Sequence, residues 1–141
     1  MQIYYYTRTN RSKQIAEELA DQYTVTCNQI TDDREWGGVL NFLKGGAMAS
    51  SKKRLTAQFA QPVKGEKIIL VFPVWAGTFP PAVRDFIERN QEEDMVAVAT
   101  SLGTKLKDRE CFLEVVELIG KEISSKEVDL SSYEGGKHGR I

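Results

Sequence analysis

The run Lys67-Ile68-Ile69-Leu70-Val71-Phe72-Pro73 narrows the choice of fold more than any other stretch of the chain. It is apolar on both faces, which predicts a central strand of a parallel sheet covered by helices on both sides. Ile3 to Tyr6 form a second such run, in which the tyrosines are expected to fill the core. Residues 13–23 then place Ile15, Leu19 and Tyr23 at helical spacing, with Ala16 and Ala20 beside them. Residues 24–30, 95–100 and 126–130 read as three further strands. One helix is expected from Pro81, with Val83, Phe86 and Ile87 facing inward. Another is expected from about Asp108, with Phe112, Val115, Leu118 and Ile119 on its buried face. Five strands alternating with helices predict a single α/β domain over residues 1–141.

Residues 33–51 carry Trp36, Leu40, Leu43 and Met48 at roughly helical spacing, interrupted by Gly37-Gly38 and Gly45-Gly46. Each glycine weakens a helix by ~1 kcal/mol, so a broken helix or folded loop is expected there. Ser50 to Arg54 reads as a solvated basic surface, and Met48 as a core residue. Cys27 and Cys111 form no CxxC pair and read as free thiols in a reducing, cytoplasmic compartment. The only histidine is His138, in the tail, which argues against a zinc site or a His-based triad. No apolar run approaches the ~20 residues of a membrane span, and Met1 leads straight into the first strand, so no signal peptide is expected. Residues 1–65 hold nine Lys/Arg and six Asp/Glu, residues 66–141 ten and fourteen. Nothing here is basic enough to suggest nucleic acid. The acidic second half could dock a basic partner.

In parallel α/β sheets, ligands bind at the carboxyl ends of the strands, near the point where strand order reverses. Three polar loops should meet at that edge. The first, Thr7-Arg8-Thr9-Asn10-Arg11-Ser12, joins a strand to a helix. Its hydroxyls, guanidinium groups and helix-start amides suit a phosphate monoester, although such residues also simply cap helices. The second, Val74-Trp75-Ala76-Gly77-Thr78, offers a large π surface and, at Gly77, backbone freedom. Trp75 could stack a planar ligand or merely close the edge of the core. The third, Ser101-Leu102-Gly103-Thr104, permits close backbone approach from another side at Ser101 and Gly103. A phosphate at one end and a flat ring at the other describe a mononucleotide.

On these residues the chain resembles the flavodoxin family over about residues 1–130. Thr7-Arg8-Thr9-Asn10-Arg11-Ser12 keeps the hydroxyl spacing of that family's phosphate loop, with Asn10 in place of its usual glycine. Val74-Trp75-Ala76-Gly77-Thr78 followed by Pro80-Pro81 looks like the ring-binding loop of short flavodoxins, and Ser101-Leu102-Gly103 takes the place of the third flavin loop. The resemblance implies a three-layer open sheet of five parallel strands in order 2-1-3-4-5. It also implies noncovalent FMN, with Thr7, Thr9, Asn10 and Ser12 around the phosphate and Trp75 and Gly77 at the ring. Too few residues follow the last expected strand for the usual final helix. Part of one sheet face should then lie bare, to be covered by a second subunit in a homodimer or by residues 33–60.

The function implied is electron transfer between redox protein partners, without a catalytic residue of the chain's own. The alternatives are a small FMN-dependent NAD(P)H quinone or flavin reductase, or a flavin-free binding module on the same fold. No second nucleotide-binding motif is visible, which favours the electron carrier over the reductase. Gly77 is the candidate for a peptide that reorients beside the flavin ring. The surface is much less acidic than is usual for flavodoxins, so a less negative reduction potential is expected. Tyr5, Tyr6 and Thr7 stand where a phosphorylation receiver would end its first strand with acidic residues, which argues against that class.

Overall fold

The computed structural model describes residues 1–32 and 57–134. The expectations for residues 33–51, for Met48, for Ser50 to Arg54 and for His138 lie outside them. The chain runs β1 (Gln2–Tyr5), α1 (Arg11–Tyr23), β2 (Cys27–Gln29), β3 (Thr31–Asp32), β4 (Ala57–Gln58), β5 (Ile68–Pro73), α2 (Pro81–Arg89), β6 (Met95–Ser101) and β7 (Glu114–Ile119). A 3-10 turn at Ser125–Glu127 follows.

Five strands form one parallel sheet in the order β2-β1-β5-β6-β7. Counted along the sheet this is 2-1-3-4-5, the open flavodoxin-like α/β arrangement expected, and no α-helix follows β7 among the described residues. β3 and β4 pair separately as a short antiparallel ribbon that the sequence did not announce.

Alternation along the central strands divides the core. Tyr4, Leu70, Phe72, Ala97 and Ala99 face α2 residues Ala82, Val83 and Phe86 on one side. Ile3, Tyr5, Ile69, Val71, Val96 and Val98 face α1 residues Ile15, Ala16 and Leu19 on the other. Each fully buried side chain of this size contributes ~1.5–3 kcal/mol, so a central strand dressed on both faces anchors the fold. Pro81 opens α2 at its first turn, where a missing N–H does no harm.

Two expected elements are replaced. Residues 114–119 are the fifth strand, not a helix. Val115 packs into the α2-side core and Val116 into the α1-side core, the two-residue alternation of a strand. The spacing of Phe112, Val115, Leu118 and Ile119 fits a helix equally well. Adjacent β-branched valines and pairing of every residue from Glu114 to Ile119 with β6 decide for strand. Residues 126–130 are correspondingly not a strand. Ser124 and Glu127 form a capping box on the 3-10 turn, and an irregular segment follows.

That segment changes the expectation of a bare sheet face. Val128 and Leu130 are buried against the α1-side core. The Tyr23 hydroxyl accepts a hydrogen bond from the Leu130 N–H at 2.9 Å. Ser125 donates to Glu18 of α1 at 2.8 Å. Ile69, Val71, Val96 and Val98 are thus buried within the chain itself. Cys27 and Cys111 are free. Among the described residues no helix is long and apolar enough to cross a membrane.

Candidate functional site

The loops after β1, β5 and β6 meet at the carboxyl edge of the sheet and enclose a cleft of about 680 Å³. Thr7, Arg8, Thr9, Arg11 and Ser12 line it from the first loop. Val74, Trp75 and Ala76 line it from the second, and Ser101, Leu102 and Gly103 from the third. Asn10, Gly77 and Thr78 do not. The sequence reading missed Pro73 and Thr100 on the wall, and it placed Thr104 in the third loop without naming it a binding residue. Thr100 had a signal, a hydroxyl one step before an expected loop at a strand end.

The first loop is a hydroxyl-closed turn. The Thr7 hydroxyl accepts from the Asn10 N–H at 2.9 Å. Asn10 takes φ 71°, the left-handed conformation that asparagine tolerates better than most residues. Its side chain makes no cap hydrogen bond. It therefore serves the turn with its backbone, which explains why it stands where glycine is expected. The first bond within α1 runs from the Gln14 N–H to the Asn10 carbonyl. By helix geometry the N–H groups of Arg11, Ser12 and Lys13 then have no partner inside the helix. The first turn carries no acidic residue.

Two side chains of this loop are already engaged. Ser12 is 2% exposed, and its hydroxyl pairs with that of Thr100 at 3.0 Å. The Arg11 guanidinium donates to the Gly120 carbonyl and, at 3.5 Å, to the Ser101 carbonyl. It ties the ends of β6 and β7 to the start of α1. These acceptors are neutral, so its positive charge stays at the cleft.

The second loop is a tight turn with both ends bonded. The Trp75 N–H donates to the Thr78 carbonyl at 2.8 Å, and the Thr78 N–H to the Trp75 carbonyl at 3.0 Å. Ala76 (φ 52°) and Gly77 (φ 80°) occupy its two positive-φ positions, the pattern of a type I′ turn. The β6–β7 connection braces it from behind. The Lys107 N–H donates to the Gly77 carbonyl at 2.8 Å, and the Thr78 hydroxyl donates to Asp108. Arg84 of α2 donates to the Thr78 hydroxyl at 3.0 Å and lies 3.9 Å from Asp108. Gly77 is thus buried behind the wall with its carbonyl in use, and Ala76 is the residue that faces the cleft. Trp75 is 6% exposed and packs edge-to-face on Tyr6, with ring centroids 5.9 Å apart. An indole so enclosed cannot present a whole open face to a ligand. The exposed apolar group at the cleft is Leu102, 69% exposed.

In the third loop the Ser101 hydroxyl donates to the Thr104 carbonyl at 2.6 Å and accepts from the Thr104 N–H at 3.1 Å. The complete lining holds two arginines, six hydroxyl side chains and no carboxylate. Its chemistry suits an anion with an attached flat apolar body, and its volume lies within the ordinary range for small-molecule sites.

No protein-family model and no curated protein matches the chain. Solved structures do match in fold. A protein from Bacteroides uniformis assigned as a flavoprotein superposes with TM-score 0.74 at 18% identity, over 89% of this chain and 92% of its own. One from Bacteroides eggerthii with the same assignment gives 0.68 at 15%, over 89% and 90%. A Lactobacillus acidophilus flavoprotein, solved in complex with FMN, gives 0.66 at 12%, over 82% and 91%. At these identities the likeness is one of architecture.

Proposed function

We propose that the cleft binds FMN noncovalently and that the protein carries electrons between redox partners in a reducing, cytoplasmic setting. One observation supports this above the rest: three separate loops converge on a single cleft whose polar groups are donors and cations, with no carboxylate on the wall. The FMN complex of a structural neighbour lends the reading further support.

The residues divide the work. The helix-start amides of Arg11, Ser12 and Lys13, with the hydroxyls of Thr7 and Thr9, would hold the phosphate dianion at the positive end of the α1 dipole. Arg11 would add charge without direct contact, since its donors are turned to the strand ends. Ala76, the edge of Trp75 and Leu102 would pack the ring and exclude water. The flavin supplies the one- and two-electron chemistry. The wall would set no carboxylate against the negative charge that the ring gains on reduction, so nothing on it drives the reduction potential down. Reorientation of the Gly77 peptide has no part here, because both sides of that peptide are already hydrogen-bonded.

The test is a titration of FMN and riboflavin into the flavin-free protein, followed by absorption and by melting temperature. FMN should bind with a clear thermal shift and at least ~10-fold more tightly than riboflavin, the difference being the phosphate grip. Equal affinities would remove the phosphate assignment, and no binding of either would leave a flavin-free module on this fold. Oxidation of NADPH by the loaded protein alone would make it a reductase.

A further inference from the structure

We propose that the cleft edge of the sheet is a docking surface for a protein with an acidic patch around an apolar centre. The use of such docking for electron exchange rests on the flavin reading; the surface itself does not. Segments 7–13, 74–79, 101–108 and 120–122 form this edge. With Asp32, which follows β2 and accepts from the Tyr6 hydroxyl, the edge sets Arg8, Arg11, Lys13, Lys105, Lys107 and Lys121 against Asp32, Asp108 and Glu122 among the described residues. Asp108 is turned inward to Thr78 and Arg84. Lys13, Lys105, Lys107 and Lys121 make no ion pair among the described residues. Lys107 lays its stem over Gly77, 3.1 Å from where a side chain there would begin.

The opposite edge has the opposite sign. Segments 21–26, 61–67 and 90–94 precede β2, β5 and β6. They hold Asp21, Glu66, Glu92, Glu93 and Asp94 against Lys64 and Lys67. Four of the fourteen acidic residues of 66–141, Glu66, Glu92, Glu93 and Asp94, therefore lie at the edge away from the cleft. The two edges make the domain electrically polar, and a polar domain orients an approaching protein before contact.

The basic edge also has an apolar spot. Leu102 is 69% exposed and Ile119 40% exposed. They are neighbours across the sheet, since Ser101 is paired with Ile119. An apolar centre inside a charged, solvated rim is the anatomy of a transient protein interface. The lysines are spread over three elements around the cleft mouth, which suits a protein face better than one small anion.

The test uses the full chain labelled for amide NMR, first alone and then with FMN. Nitroxide probes of opposite charge read the local potential. The anionic probe should broaden the amides of Leu102, Lys105 and Lys121 at least about two-fold more than the cationic probe, with the order reversed at Glu92 and Glu93. Equal or reversed broadening at the loops overturns the proposal. An acidic plant-type ferredoxin is then titrated at low salt, with basic cytochrome c and NADPH as counter-probes. Ferredoxin should shift the same loop amides. The double variant K105E and K121E should weaken its binding about ten-fold, and ~0.3 M salt should erase the difference. Ferredoxin shifts at the far edge, no shifts, or loop shifts from cytochrome c or NADPH in its place all overturn the docking assignment. Loop shifts from ferredoxin with no FMN uptake sink the cofactor and leave the surface standing.

Discussion

The two main walls of the cleft are built on opposite plans. The wall at Thr7 to Ser12 commits its Thr7 and Ser12 hydroxyls and the Arg11 guanidinium to the chain itself, but the first-turn amides of α1 have no partner inside the helix. The wall at Trp75 to Thr78 uses nearly everything, with both turn amides, the Gly77 carbonyl and the Thr78 hydroxyl engaged by the chain itself. The first wall is a receptor for charge. The second is a fixed surface for shape. Affinity should therefore respond to charge changes on the first wall, and stability to changes behind the second.

Removing the brace behind the second wall should have the largest effect. D108A leaves Arg84, only 13% exposed and with an unpartnered Nε, without its carboxylate, and the Thr78 hydroxyl without the acceptor for its proton. A loss of about 2–3 kcal/mol in urea-induced unfolding is expected. A loss below ~0.5 kcal/mol would mean the brace is solvated and the wall is not fixed by it. T9E, on the first wall and exposed, should do the reverse. Unfolding should stay within about 0.5 kcal/mol of the parent, while FMN affinity falls at least ~10-fold and riboflavin affinity holds. Equal losses for both ligands would show that the phosphate lies elsewhere.

The left-handed residues offer a smaller contrast. A76G relieves a strained alanine and should stabilise the protein by about 0.5 kcal/mol, net of the glycine's extra freedom when unfolded. N10G should gain less, because asparagine already tolerates that conformation. If N10G gained more, the first wall would be the strained one. The smallest effect concerns Cys27, away from both walls. Burial, with the charge of Glu17, holds its thiol above the ordinary range. Its contribution is present below the unfolded thiol pKa and fades as pH rises through the folded one. Alkylation should need a more alkaline pH in the folded protein than in urea, and coincident curves would place the thiol in solvent.

The order of the sheet was legible because its central strands are apolar on both faces, a pattern that only a covered parallel sheet explains. The cleft was legible for the same reason: strand ends are easy to find, and loops at one edge must meet. The end of the chain misled. Val115, Leu118 and Ile119 satisfy a helical period, and only the long-range pairing with β6 shows that residues 114–119 extend the sheet. The brace was invisible. Arg84 and Asp108 lie on different elements, and nothing in their spacing joins them to Thr78. Trp75 shows a further limit, since an aromatic at a strand end has the same sequence whether its face is open or packed against Tyr6.

The irregular segment holding Val128 and Leu130 has a bearing on how the molecule is made. These residues follow the last strand, which ends at Ile119, and so leave the ribosome after every strand of the sheet whose side they close. Until they emerge, the growing chain shows a patch of greasy strand to the cell. A chain cut after Ile119 should therefore bind a hydrophobic dye that the chain carrying Val128 and Leu130 does not.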